Sequence, residues 1–149
     1  MAASSTHQGV EDAHFDFVAF SAYHERKGAL HQSRMRSYLR AKIHKATVTE
    51  ANVEYEGSIT IDEALMKKAG LREYEKVLVV DNTNGSRIET YVITGRRNSG
   101  TICINGAAAH HVRQGDEVII MAFEWTNTPP KKPKNILVDE NNRFVKYLA

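Results

Sequence analysis

Residues 55–70 read Tyr-Glu-Gly-Ser-Ile-Thr-Ile-Asp-Glu-Ala-Leu-Met-Lys-Lys-Ala-Gly, and this stretch marks where the chain changes from strand to helix. Thr60 is followed three residues later by Glu63, which is the pattern of a capping box at a helix start. Apolar residues then follow at helical spacing, at Ile61, Leu65 and Ala69. Because glycine commonly ends helices, we expect one short helix that stops at Gly70.

Outside this helix the chain has the alternating or β-branched patterns of strands. Strands are predicted at residues 37–44, 46–55, 76–80, 87–94, 101–104 and 117–125, with a terminal hairpin at 136–138 and 144–148 that could pair with a neighbouring subunit. Asn82 to Gly85 predicts a tight turn, Asn105-Gly106 another, and Ala107 to Val112 a helical turn. Many short strands with one or two helices indicate a small mixed barrel, mainly β.

Composition limits the class of protein. A chain of 149 residues suits one small domain, and its net charge of +2 gives no reason to expect a nucleic-acid partner. No apolar run reaches the roughly 18 residues of a membrane span. The single cysteine, Cys103, cannot form an internal disulfide, which suits a cytoplasmic protein, and its apolar neighbours predict a small buried side chain.

The chain is expected to have three parts. Residues 1–34 hold four of the seven histidines without carboxylate or cysteine partners, so no metal is expected there. We interpret them as an N-terminal extension, expected to be disordered. Residues 35–126 form the barrel, and residues 127–149, which begin with a stretch containing all three prolines, form a linker and a tail or hairpin.

Four motifs occur in order along the barrel. They are Lys42-Ile43-His44, Tyr55-Glu56-Gly57-Ser58, Thr83-Asn84-Gly85-x-Arg87-x-x-Thr90-Tyr91 and Asn105-Gly106-Ala107-Ala108-Ala109-His110. With this order and spacing the chain resembles the pyruvoyl-dependent, self-processing aspartate 1-decarboxylase family, from about Met35 to about Phe123. The resemblance implies a double-psi β-barrel assembled as a homotetramer, with active sites between subunits.

The resemblance also implies that the backbone is cut between Gly57 and Ser58. Because Gly57 has no Cβ, the Ser58 hydroxyl can approach the preceding carbonyl carbon, and the backbone there can hold a strained conformation. The resulting ester would eliminate and leave a pyruvoyl group derived from Ser58. Taken alone, Gly57-Ser58 favours an ordinary loop with Ser58 near a helix N-cap, and only the surrounding motifs favour cleavage.

The activity implied is decarboxylation of L-aspartate to β-alanine and carbon dioxide, which feeds pantothenate and coenzyme A synthesis in the cytoplasm. The amino group of the substrate would condense with the pyruvoyl ketone as a Schiff base, and no other cofactor would be needed. Whether a helper protein assists maturation stays open. Two alternatives also stay open: a pyruvoyl decarboxylase for another acidic amino acid such as glutamate, and a barrel without catalytic activity that serves as a binding module.

Roles for individual residues follow from the resemblance. Arg87 would clamp the substrate side-chain carboxylate with its planar fork, and Lys42 would be the second basic residue. Tyr91 would return a proton to the carbanion. Taken alone, Arg87 is an ordinary exposed strand residue, Lys42 a solvated lysine and Tyr91 a half-buried aromatic.

Thr90 resembles the family threonine that hydrogen-bonds the Gly57 carbonyl during the acyl shift, and is also placed with the substrate. Strand alternation puts it on the face opposite Tyr91, so a bulge or a subunit boundary would have to reconcile the two. Asn105 would act in processing and as an oxyanion element. The remaining family positions bind substrate through the turn or line the site, namely Gly106, Ala107, Ala108, His44 and Tyr55.

Overall fold

The computed structural model describes residues 35–128 and 131–148. The predicted extension, residues 1–34, lies outside the described residues. The strands are β1 (Arg36–Thr47), β2 (Glu50–Asn52), β3 (Ser58–Asp62), β4 (Lys76–Asp81), β5 (Arg87–Gly95), β6 (Ile102–Asn105), β7 (Glu117–Thr126), β8 (Lys134–Val138) and β9 (Phe144–Tyr147). Helix α1 (Glu63–Ala69) follows β3, and a 3-10 helix (Gly106–His110) follows β6. This mainly β structure with short helices confirms the predicted fold class.

The strands hydrogen-bond in the order β2-β6-β3-β5-β4-β7-β1-β8-β9. Three of the pairs are parallel, namely β1 with β8, β2 with β6 and β3 with β5. The remaining neighbours are antiparallel. Consecutive strands in the sequence are therefore often separated in the sheet, and β3 lies between β5 and β6, which follow it much later in the chain.

The core is made of aliphatic side chains from nearly every strand. Its fully buried isoleucines are Ile43, Ile59, Ile61, Ile102, Ile104, Ile120 and Ile136. All four residues of β6 are buried, and so are four of the five in β3, whereas β5 alternates between exposed and half-buried positions over most of its length. The pair β3–β6 is thus surrounded by protein on both faces, while β5 keeps one face in contact with solvent.

The predicted capping box is wrong by two residues. Thr60 lies inside β3, and the N-cap of α1 is Asp62, whose carboxylate accepts a hydrogen bond from the Ala64 amide at 2.7 Å. The same buried carboxylate also accepts from the Asn98 and Gly100 amides, and these contacts hold the chain at the end of β3. The predicted helix end is confirmed, since Gly70 adopts a left-handed φ of 75°.

The first two strands differ from the prediction of 37–44 and 46–55. β1 continues through Lys45, whose φ is 63°, because a shift in the β1–β7 register absorbs the extra residue as a bulge. β2 ends at Asn52, where the side-chain oxygen accepts from the Glu54 amide at 3.0 Å and starts a turn. As a result Tyr55 lies in an exposed turn and not in a strand.

The other predicted elements can be compared directly. The β4–β5 hairpin is confirmed, and its turn is held by the Asp81 carboxylate. Asn105-Gly106 is not a hairpin turn, because the chain enters the 3-10 helix there. The terminal hairpin pairs through β8 with β1 of the same chain, and Asn142 in its turn bonds both backbone groups of Thr47. None of the helices in the described residues is long and apolar enough to cross a membrane.

Candidate active site

Ser58 is the first residue of β3 and is buried, with 1% of its surface exposed, directly after the exposed Gly57. Its hydroxyl oxygen accepts a hydrogen bond from Asn105 Nδ2 at 2.8 Å. The hydroxyl can also donate to the Glu56 carbonyl, at a longer distance of 3.4 Å. A serine hydroxyl that is withdrawn from water and has a fixed donor next to it is held in one position relative to its own backbone.

Four polar side chains share one face of the β3–β6 pair, and we call them the cleavage cluster: Ser58, Thr60, Cys103 and Asn105. Ser58 is opposite Asn105 and Thr60 is opposite Cys103 in the antiparallel register. Besides its bond to Ser58, Asn105 Nδ2 donates to Thr60 Oγ1 at 3.1 Å. The Cys103 thiol donates to Asn105 Oδ1 at 3.2 Å, and burial raises the pKa of this thiol. The Asn105 amide is therefore held from three sides.

The left-handed backbone conformation at this site belongs to Gly106 and not to Gly57. Gly106 has a φ of 64°, and a Cβ added to it would lie 2.7 Å from the Gly57 Cα and 2.9 Å from the Tyr55 carbonyl oxygen. Gly57 has no positive φ, and a Cβ there would meet nothing within 4 Å. The prediction of strained backbone at Gly57 is therefore wrong. The close approach needs a glycine at position 106, where β6 passes into the 3-10 helix.

Strand β5 contains two of the predicted site residues, Thr90 and Tyr91. It pairs in parallel with β3, with Val92 beside Ile59. Tyr91 and Thr90 come directly before Val92 in β5, as Ser58 and Gly57 come directly before Ile59, and the paired residues of the register begin at Ile59 and Val92. The alternation predicted for β5 holds, because Tyr91 is 38% exposed and Thr90 is half-buried on the other face. Neither pairing of β5 shows a bulge.

The predicted substrate cations lie on exposed or half-buried surfaces away from Ser58. Arg87 is exposed, and its guanidinium donates to the Gly85 carbonyl at 3.0 Å. Lys42 is half-buried on β1, next to β7 and β8. In the described residues no hydrogen bond or ion pair joins Arg87, Lys42 or Tyr91 to the cleavage cluster. In the described part of one chain, these three side chains are therefore not linked to Ser58 by hydrogen bonds or ion pairs.

His44 is two residues from Lys42 on the same face of β1. Its Nδ1 is buried and has no hydrogen-bond partner among residues 35–128 and 131–148. Burial, and after it the positive charge of Lys42, lowers the pKa of His44 from its ordinary value of 6.5. The imidazole is therefore held in its neutral form more strongly than a histidine in water.

The other predicted positions surround the cleavage point through their backbone. Ala107 is exposed and Ala108 half-buried in the 3-10 helix that follows Asn105, and the Tyr55 carbonyl faces Gly106. The Tyr55 ring is 56% exposed. Thus one chain brings together Gly57, Ser58, Asn105 and Gly106. Among the described residues, no side-chain hydrogen bond or ion pair joins Lys42, His44, Arg87 or Tyr91 to them.

Sequence reasoning missed Thr60 and Cys103 as members of the site. Thr60 was assigned to a helix cap and Cys103 to the apolar core. The signal that could have found them is alternation, because Ser58-x-Thr60 and Cys103-x-Asn105 each place two polar groups on one face of a strand. The pairing of β3 with β6, which joins the two sets, cannot be read from alternation alone.

Comparison with known proteins gives matches over most of the chain. The family model described as aspartate decarboxylase matches residues 34–145. A protein from Caldicellulosiruptor saccharolyticus named aspartate 1-decarboxylase is 60% identical over 111 residues, which cover 72% of this chain and 87% of that protein. One of the same name from Bacillus cereus is 51% identical over 117 residues, covering 76% of this chain and 92% of that protein.

The family match extends to residue 145, beyond Phe123, where the resemblance carried by the four motifs ended. It therefore includes β8 and the start of β9. Among solved structures, the computationally designed msDPBB_sym2 protein aligns at 19% identity and a TM-score of 0.35, over 58% of this chain and 99% of that chain, which is too slight a likeness to carry an argument. The mainly β structure is as predicted, and the double-psi β-barrel itself stays what the family resemblance implies. This chain belongs to the aspartate decarboxylase family.

Proposed function

We propose that the chain decarboxylates L-aspartate to β-alanine and carbon dioxide, with a pyruvoyl group made from its own Ser58. The observation that carries this proposal is the buried Ser58 hydroxyl, which accepts from Asn105 immediately after the exposed Gly57. The names of the relatives, aspartate 1-decarboxylases, support the choice of substrate. The product β-alanine would feed pantothenate and coenzyme A synthesis in the cytoplasm.

The proposed maturation begins with an acyl shift at the Gly57-Ser58 bond. Ser58 Oγ forms a bond to the Gly57 carbonyl carbon, the bond from that carbon to the Ser58 nitrogen breaks, and the hydroxyl proton passes to the nitrogen. Donors must stabilise the oxyanion that forms transiently on the Gly57 oxygen. Thr90 is assigned to this oxygen by the family resemblance, and it precedes Val92 by two residues along β5 as Gly57 precedes Ile59, where the β3–β5 register begins.

The ester then eliminates. Loss of the Ser58 α-proton and cleavage of the Cβ–Oγ bond release Gly57 as a carboxylate and leave a dehydroalanine, from which water displaces ammonia. The products are a short chain that ends at Gly57 and a longer chain that begins with the group derived from Ser58. An amide rearrangement of this kind is uphill before elimination, so a fixed geometry around Ser58 is what the fold must supply.

The residues around Ser58 fit the pyruvoyl group. The position is buried, the Asn105 amide can donate to an oxygen there, and the absence of a Cβ at Gly106 leaves space where the two chain segments meet. A pyruvoyl ketone supplies an electron sink for the carbanion formed when carbon dioxide is lost. Ala107 and Ala108, which follow Gly106, are assigned to substrate binding through their backbone.

Substrate recognition is assigned to side chains from two faces. Arg87 would hold the substrate side-chain carboxylate bidentately, Lys42 would add a second positive charge, and Tyr91 would donate a proton to the carbanion. His44 and Tyr55 would line the site. Since one chain does not bring Arg87, Lys42 and Tyr91 to Ser58 by contact, we assign the complete site to the interface between subunits of a homotetramer.

Release of carbon dioxide from aspartate and from glutamate tests the reaction and its substrate. We expect turnover of aspartate, no cleavage or activity in Ser58→Ala, and unchanged behaviour in the matched control Ser37→Ala, which alters an exposed serine of β1. Faster turnover of glutamate than of aspartate would show that glutamate is the preferred substrate. An uncleaved wild-type chain without decarboxylase activity would favour the binding module.

A further inference from the structure

Thr60 and Cys103 contact Asn105 without contacting the Gly57-Ser58 bond, and nothing in the proposed reaction uses them. Cys103 is buried, with 7% of its surface exposed, and Thr60 is the one half-buried residue of β3, whose other four residues are buried. A hydroxyl and a thiol in such a place need a reason, because an aliphatic side chain would pack there without a hydrogen-bond requirement. Their shared partner is the Asn105 side-chain amide.

The contacts decide which end of the amide faces Ser58. Asn105 Nδ2 has two N–H groups, and they are used by Ser58 Oγ at 2.8 Å and Thr60 Oγ1 at 3.1 Å. Oδ1 accepts from the thiol. With the amide turned over, its NH2 group would face the sulfur, which is a weak acceptor, so the observed orientation satisfies more of the buried polar groups.

We propose that Thr60 and Cys103 are positioning residues for self-cleavage, because together they fix the Asn105 amide with its donor end toward the Ser58 hydroxyl. The inference rests on the proposed function. With Asn105 donating to it, Ser58 Oγ is not free to rotate away, and its own proton is directed to the Glu56 carbonyl. A lone pair on Oγ is then left for the Gly57 carbonyl carbon.

The contact belongs to the maturation step. In the elimination, Oγ leaves with the Gly57 carboxylate, so Asn105 no longer has this partner on the chain that begins at position 58. Loss of either positioning residue should therefore appear first in the rate at which the precursor is cut. Thr60 should matter more than Cys103, because a hydroxyl is the stronger hydrogen-bonding group.

The test is the rate of precursor cleavage in matched variants, followed by intact mass from the time of synthesis. Thr60→Val keeps the shape and removes the hydroxyl, and we expect cleavage about tenfold slower or more, as loss of one partly buried hydrogen bond in a reacting arrangement would give. Thr60→Ser restores a hydroxyl and should recover most of the rate. Cys103→Ala should slow cleavage less, and Thr94→Val, at an exposed threonine of β5, should cut as fast as the wild type.

Melting temperatures of the same variants separate positioning from a loss of stability. Cleavage of Thr60→Val at the wild-type rate would overturn the inference, and so would slow cleavage that Thr60→Ser does not recover. Should Thr60→Val fail to fold, Cys103→Ala decides: slowed cleavage supports the inference and a wild-type rate overturns it. A wild-type chain that is never cut would instead refute the proposed function itself.

Discussion

The cleavage cluster on β3–β6 and the exposed face of β5 differ in how completely one chain builds them. In the cleavage cluster, Ser58 and Asn105 are 1% and 3% exposed and are joined by a short hydrogen bond. On β5, Arg87 and Tyr91 are exposed, and the nearby Glu89 pairs with Lys76 at 2.7 Å in the surface. The two regions are adjacent in the sheet. The side chains of the cleavage cluster are buried or half-buried and hydrogen-bonded to one another, whereas those on the exposed face of β5 are in contact with solvent.

This difference suits the two regions to two different steps of the proposed function, namely cleavage of the backbone and binding of the substrate. Cutting the backbone needs groups held rigidly within one chain, and buried paired strands provide that rigidity. Binding a substrate needs access from solvent, so under the proposed function its residues lie on an exposed face, which a neighbouring subunit would cover. Changes in the cleavage cluster should then impair maturation, and changes on the exposed face of β5 should impair turnover by chains that are already cut.

The largest effect is expected at Gly106. Gly106→Ala places a Cβ 2.7 Å from the Gly57 backbone and forces a left-handed alanine, so it should destabilise the fold by about 2 kcal/mol or more and stop cleavage. Gly57→Ala is the matched control for stability, because its Cβ meets nothing within 4 Å. Urea unfolding of both in a Ser58→Ala background measures stability without interference from cleavage. Equal destabilisation by the two changes would contradict this description of the turn.

Tyr91→Phe should affect the turnover of aspartate without affecting cleavage of the backbone. The ring remains, so packing and cleavage should be as in the wild type, while loss of the proton donor should lower kcat by about a hundredfold or more. Tyr74→Phe, at a tyrosine that is 72% exposed, is the control. The measurement is carbon dioxide release per cleaved chain. A kcat unchanged in Tyr91→Phe would remove this residue from the proposed reaction.

Arg87→Ala should have the next largest effect, and mainly on substrate binding. Without the guanidinium, kcat/KM for aspartate should fall by roughly tenfold to a hundredfold, the usual contribution of a hydrogen bond to a charged group. Cleavage should proceed normally, because Arg87 has no contact with the cleavage cluster in the described residues. Arg96→Ala, at another exposed arginine, gives the baseline. Impaired cleavage in Arg87→Ala would break the separation of the two regions.

The smallest effect concerns the acid sensitivity of β1. The pKa of His44 is lowered by burial and by Lys42, so the unfolded chain binds more protons there than the folded protein as the pH falls below 6.5. The free energy of unfolding should therefore decrease as the pH drops through that range. His44→Gln should lose less stability than the wild type between about pH 7.5 and about pH 5.5, as measured by melting temperature. If the melting temperatures of the two proteins decreased equally with pH, His44 would not be the cause of the acid sensitivity.

Local patterns in the sequence predicted the parts of the fold that depend on local interactions. The β4–β5 hairpin and the helix end at Gly70 each follow from a few neighbouring residues. The helix start was misplaced because Thr60-x-x-Glu63 satisfies a capping pattern locally, whereas Asp62 makes additional bonds to Asn98 and Gly100 from a distant loop. A pattern of neighbouring residues contains no information about such partners.

Only part of the candidate site could be predicted, because some of its contacts also depend on residues that are distant in the sequence. Gly57, Ser58 and Asn105 were placed together through family motifs, and the structure joins Ser58 to Asn105 by a hydrogen bond. Thr60 and Cys103 were missed, because their function depends on the register of two strands that are about forty residues apart in the sequence. A strained backbone is predicted at Gly57, whereas the structure has the positive φ at Gly106, the first residue after β6.

The intact mass of the purified wild-type protein tests the central claim most directly. Self-cleavage predicts two chains, residues 1–57 ending in a free carboxylate and residues 58–149 beginning with a pyruvoyl group, together with turnover of aspartate. A single chain of full mass in material that is catalytically active would contradict the account, whatever the arrangement of strands around Ser58.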